Sequence, residues 1–258
     1  MKVYEIAELI EKTAPKNLAY EWDNVGLLVG DKNKEIKKVF VTLDTNLATV
    51  HQAINAGADM IISHHPIFFN PLKRIEYGTP QGDLIRLLIE NDMPLYAAHT
   101  NMDVAAGGIN DKLAEIFQLS DVKILEPLAD NPSAGLGRFG KGKREVDFSS
   151  FAEIAKMLLR TSVRYAGDGG RIIKTVAVAG GACADLAALA KAKGCDVLVT
   201  SDVKYHEMID ADELGICMID AGHYPTEICV LEIFENILKD TELEIIKSET
   251  KDIFKFLS

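Results

Sequence analysis

The chain has 258 residues, 48% hydrophobic and 26% charged, a globular composition with room for one large domain or two modest ones. Its formal net charge is -11, and the only compact basic stretch, residues 141–144, is interrupted by Gly142, which argues against nucleic acid as a partner. Cys183, Cys195, Cys217 and Cys229 form no C-x-x-C pair, no secretion signal is evident, and no apolar run reaches the roughly 18 residues of a membrane span, so the expectation is a reduced, cytoplasmic, non-membrane protein.

Residues 2–13 predict a helix, with Val3, Ile6, Leu9 and Ile10 at helical spacing and Ala14 and Pro15 ending it. In the segment 22–30, Trp22 is expected to pack in the core, with Asp23 and Asn24 capping a turn. Residues 39–43 predict a buried strand, 47–56 a helix and 60–63 a second strand.

The same order returns 137 residues later, where Val39 falls on Val176 and Gly57, Ala58 and Asp59 fall on Gly194, Cys195 and Asp196. This strand, helix, turn and strand pattern predicts an α/β protein of two similar lobes made by internal duplication. A weaker echo follows, with predicted strands at 95–98 and 216–219 each leading to a His-x-x-x-acid sequence, His99 to Asp103 and His223 to Glu227.

Between the lobes, residues 127–142 hold two prolines and four glycines and predict an irregular connection. The segment 135–140 fits G-x-G-x-x-G but has neither a clear strand before it nor a helix directly after, so it reads as a glycine-rich turn with Arg138 available to an anion. A helix restarts near Ser150, which has capping-box spacing to Glu153. The expected lobes are 1–125 and 126–258, with the C-terminal helix packing back on the first.

The chemistry-bearing residues cluster after predicted strands. His64 and His65 follow the strand at 60–63, at the kind of carboxyl end where open α/β sheets collect ligands. Adjacent side chains on extended backbone diverge, so each imidazole suits its own ion of a neighbouring pair. Asp103 offers a hard oxygen, and Glu227, four residues after His223, a bridging carboxylate if the turn through Pro225 is helical. Mixed nitrogen and carboxylate donors suit Zn, Fe, Mn or Co better than calcium.

The blocks WDNVGLLVG (22–30), SHHP (63–66), HTNMD (99–103) and DAGHYPTE (220–227) resemble the NIF-three-like family, also called the GTP cyclohydrolase I type 2 homologues, and the resemblance spans nearly the whole chain. It implies the NIF-three-like fold, in its compact form without a mid-chain inserted domain, with a dinuclear site in the crevice between the lobes. His65 and Asp103 would serve one divalent cation, His64 and His223 the other, and Glu227 both. It also implies a homohexameric toroid. The function expected is metal-assisted hydrolysis, with GTP as the nucleotide substrate suggested by the family name and His99 as a proton shuttle. Two other readings stand beside it: a non-catalytic metal-binding scaffold or regulatory protein, and a metal-dependent phosphoesterase.

Overall fold

The computed structural model describes residues 1–255. The chain divides into two compact units, one formed by Met1–Ala105 and Val230–Lys251, the other by Ala106–Cys229 with residues 252–255. The first unit begins with α1 (Val3–Thr13), β1 (Gly26–Val29), β2 (Lys38–Thr42), α2 (Leu47–Asn55), β3 (Met60–Ser63), α3 (Pro80–Glu90), β4 (Leu95–Ala97) and α4 (Thr100–Val104). The second runs through α5 (Ile109–Ile116), β5 (Ser120–Leu128), β6 (Asn131–Asp147), α6 (Phe148–Leu159), β7 (Arg164–Ala166), β8 (Ile172–Val178), α7 (Ala187–Ala192), β9 (Val197–Thr200), α8 (Tyr205–Leu214), β10 (Cys217–Asp220) and α9 (His223–Glu227). The chain then returns to the first unit as α10 (Val230–Leu238) and β11 (Glu244–Lys247).

The first sheet has strand order β1-β4-β3-β2-β11, and the second β5-β6-β8-β9-β10-β7. In the first, β11, β2, β3 and β4 are parallel and β1 lies antiparallel on β4. In the second, β8, β9 and β10 are parallel and β7 lies antiparallel on β10. The repeat reaches down to single hydrogen bonds. Val39 pairs with Met60 and Val176 with Val197, each partner 137 residues on. Asp59 accepts from the amides of Lys37 and Lys38 at 2.8 and 2.9 Å, and Asp196 from those of Lys174 and Thr175 at the same distances.

Strands β3, β9 and β10 are buried at every residue, as parallel strands are when helices cover both faces. Phe40, Ile61 and Leu95 meet Val50, Ala53, Leu84 and Leu88 of α2 and α3 on one side of the first sheet. In the second unit Ala177, Leu198 and Met218 pack with Ala187, Ala190 and Ala211 of α7 and α8.

The unit boundaries depart from the division expected at 125/126. Residues 106–125 join the second unit because α5 packs on β6 and β8, whereas α10 lies against α1 and β2 and so draws the late segment into the first. The irregular connection expected at 127–142 is instead an antiparallel hairpin, with Lys123 opposite Phe139 and Pro127 opposite Gly135. Its glycines serve close backbone approach: a Cβ on Gly135 would stand 2.2 Å from the Glu126 carbonyl oxygen. Arg138 is not an anion contact on a turn. It is buried and forks onto Asp111, Nε to Oδ1 at 2.5 Å and Nη2 to Oδ2 at 3.0 Å. The cap of α6 also differs, since Asp147 rather than Ser150 is the N-cap and accepts from the Ser150 amide at 2.9 Å. No helix among the described residues is long and apolar enough to cross a membrane.

Candidate metal centre

In the first unit every candidate side chain follows a parallel strand: His64 and His65 after β3, and His99 and Asp103 after β4, with Asp103 carried by α4. The sheet ladder continues past the strand ends, since the His64 and His65 amides donate to the Thr42 and Leu43 carbonyls and Ala98 donates to Ser63. These positions are therefore fixed by backbone hydrogen bonds, and loop mobility is removed where the donors sit.

Each imidazole is oriented through Nδ1. His64 donates to the Ala98 carbonyl at 2.8 Å, His65 to Asp44 at 2.7 Å and His99 to Asp23 at 2.9 Å. A carbonyl oxygen can only accept, so the Nδ1 of His64 carries a proton, and in the neutral ring its Nε2 then keeps a lone pair. Buried His64 holds that Nε2 3.6 Å from the Asp103 carboxylate. The three rings lie 4.9 to 5.5 Å apart by centroid, and His64, His65 and His99 each offer a nitrogen within 4.8 Å of the others. The divergence expected of His64 and His65 appears only in their anchors, on opposite neighbouring strands; the rings themselves stay adjacent because the backbone leaves the extended strand and bends at His64 and His65.

In the second unit His223 and Glu227 stand at the two ends of α9, beyond β10. Pro225 is the third residue of this helix, where its missing amide removes no helical hydrogen bond, so the His-x-x-x-Glu turn is helical. The Nδ1 of His223 donates to Asp202 at 2.7 Å, and its Nε2 lies 2.9 Å from Glu227 Oε2. Asp202 sits just past β9 with φ 53, a left-handed conformation that aspartate tolerates better than most residues and that aims its carboxylate at the imidazole. Glu227 is buried, and it occupies the volume that a side chain at Gly181 would fill: a Cβ there, at φ +71, would lie 2.4 Å from Oε1.

The structure thus brings together His64, His65, His99 and Asp103 within the first unit, and His223 with Glu227 within the second. Residue type and local spacing do not single out the orienting carboxylates Asp44 and Asp202, and they mark Asp23 only as a turn cap. A signal existed: Asp44 to His65 and Asp202 to His223 are both separations of 21 residues, each from one strand end to the next. Trp22 is a further correction. It is 60% exposed rather than in the core, with Tyr20, Phe69 and His99 around it.

These donors fit a divalent cation. With its Nδ1 proton committed, a neutral imidazole presents only a lone pair at Nε2, and a carboxylate also only accepts. Two acceptors facing each other at 2.9 or 3.6 Å repel unless a proton or a cation lies between them. Histidine held by a carboxylate or carbonyl at its other nitrogen is also the usual outer arrangement around a metal.

The fold and this donor set define a two-sheet α/β protein with imidazole and carboxylate groups at parallel strand ends, able to hold metal ions. Residues 1–253 match the family described as Duf34/NIF3 (NGG1p interacting factor 3), and the chain belongs to that family. A Clostridium perfringens protein named GTP cyclohydrolase 1 type 2 homolog is 36% identical over all of both chains. A Methanocaldococcus jannaschii protein of the same name is 39% identical over 95% of this chain and 98% of its own. Among solved structures, the Bacillus cereus protein related to NIF3 superposes with a TM-score of 0.93 at 28% identity, covering 100% of this chain and 99% of its own.

Proposed function

We propose that this protein is a metal-dependent hydrolase that holds two divalent cations through His64, His65, Asp103, His223 and Glu227. The observation that carries this reading is the pairing of Nε2 lone pairs with carboxylates in both units, His64 with Asp103 and His223 with Glu227, each imidazole backed at Nδ1. Bound cations of the Zn, Fe, Mn or Co type would supply Lewis acidity toward water and substrate. His99, oriented by Asp23 through Nδ1, would be the group that passes a proton to or from a reacting atom. Relatives named GTP cyclohydrolase 1 type 2 homolog support a nucleotide whose guanine five-membered ring is opened hydrolytically with release of formate.

Metal analysis of the purified protein should find about two first-row equivalents per chain, and Asp44→Asn and Asp202→Asn should each weaken metal affinity roughly 10- to 100-fold. Metal-loaded protein incubated with GTP should release formate, and Glu227→Gln should not. Equal rates for the two proteins would overturn the hydrolase. The proposed assembly is a homohexamer, checked by light scattering. If chelation dissolves the assembly or lowers the melting temperature and no turnover was ever present, the ions serve a scaffold instead.

A further inference from the structure

The exposed rings around His99 are not explained by holding metal. Trp22 is 60% and Phe69 47% exposed, yet neither belongs to a loosely tethered loop. Asn24 donates to the Phe68 carbonyl at 2.8 Å and so ties the Trp22 segment to the Phe69 segment. Asp23, next to Trp22, accepts from His99 Nδ1 and from the Thr100 amide at 3.0 Å, and the Tyr20 amide donates to Thr100 Oγ1 at 3.1 Å. Two large apolar rings are thereby left in water on segments tied down by hydrogen bonds, an arrangement that marks a surface with something to bind.

Their geometry specifies a flat occupant. Trp22 lies edge-on to His99, centroids 6.0 Å apart at 76°, and Phe69 is 5.8 Å from Trp22 and 5.7 Å from His99. Tyr20 backs the indole at 19° between planes. A ring stacked here meets aromatic faces and, beside them, the polar His99–Asp23 pair that can bond to its edge nitrogens. Phe69 also lines a cavity of about 790 Å³ whose wall carries the charged side chains Lys73, Arg74 and Glu76.

We propose that Trp22 and Phe69 form the stacking platform for a planar nitrogen heteroaromatic ring of nucleobase size, delivered against His99. The platform rests on the hydrolase reading for its purpose and adds to it the residues that would select the substrate class.

Trp22 is the only tryptophan of the chain, so its emission reports directly on this surface. Titration of the full-length protein with guanosine should quench that emission saturably, and ribose 5-phosphate should leave it unchanged. Phe69→Ala should weaken guanosine binding roughly tenfold while Phe69→Tyr keeps it, because base stacking needs a ring and not its particular substituent. By calorimetry Trp22→Ala should lose a similar factor and Trp22→Phe should recover most of it. Absence of quenching, unsaturable quenching, or equal affinity in Phe69→Ala and the parent would overturn the platform. Since the titration needs no turnover, a failed platform leaves the formate assay to judge the hydrolase alone; conversely, saturable quenching with no formate would retain the platform and remove only the hydrolase.

Discussion

Gly181 and Asp44 are 137 residues apart and occupy equivalent ends of β8 and β2, yet they do opposite things. Asp44 fills its corner with a carboxylate that orients His65, whereas Gly181 empties the corresponding corner for Glu227. Gly181→Ala should cost about 1–3 kcal/mol through both the positive φ and the clash, and should lower metal content by displacing Glu227. Thermal unfolding and metal analysis together check this; a variant with unchanged melting temperature and metal would show that the corner has slack. Asp23 gives a pH signature. Burial works to raise its carboxyl, but the hydrogen bonds from His99 and Thr100 outweigh burial and hold it at about 2, below the ordinary 3.8. A depressed carboxylate stabilises the fold above its unfolded pKa and loses that contribution as pH falls through the folded value. The stability deficit of Asp23→Asn in urea unfolding should therefore shrink between about pH 4 and pH 2. His64, His65, Asp103, His223 and Glu227 can be nominated from residue type and place after a strand, and the structure brings the first three together in one unit and the last two in the other. Asp23, Asp44 and Asp202 are harder to nominate, because an orienting carboxylate is defined by an Nδ1 contact to a side chain 76 or 21 residues away, and only the shared 21-residue spacing marks the last two.

Strand β3 has the bounds its apolar run predicts, and the βαβ repeats have the register their spacing implies. These elements were legible because burial on both faces forces continuous apolar residues. The β5–β6 hairpin was not, because its glycines answer to the backbone across from them, a partner that composition alone cannot supply. Gly135→Ala should therefore destabilise the protein by about 1–3 kcal/mol, an effect a surface turn would not show, and urea midpoints measure it. Trp22 failed for a different reason: a tryptophan's area normally buries it, and only the packing around His99 shows that this one is left in solvent. In α10, fully buried Phe234 should cost about 3–5 kcal/mol when cut to alanine.

At the scale of the whole molecule, all four cysteines are buried thiols outside any disulfide. Burial pushes the Cys195 thiol up to about 11 and raises Cys217 as well, so little thiolate exists at neutral pH. Iodoacetamide at pH 8 should label none of them in the native protein and all in denaturant; label in the native state would reveal local opening. The excursion of the chain, which leaves the first unit after Ala105 and re-enters it at Val230, bears on synthesis. During translation the unit begun first is completed last, because β2 waits for β11, which aligns Ile245 with Val39, and α1 waits for α10. The later unit, nearly all one continuous stretch, is free to close while its predecessor is still missing an edge strand. Ribosome-bound chains carrying a C-terminal linker and halted when residue 229 has just cleared the exit tunnel should accordingly be cut by protease within 1–105 and spared within 106–229.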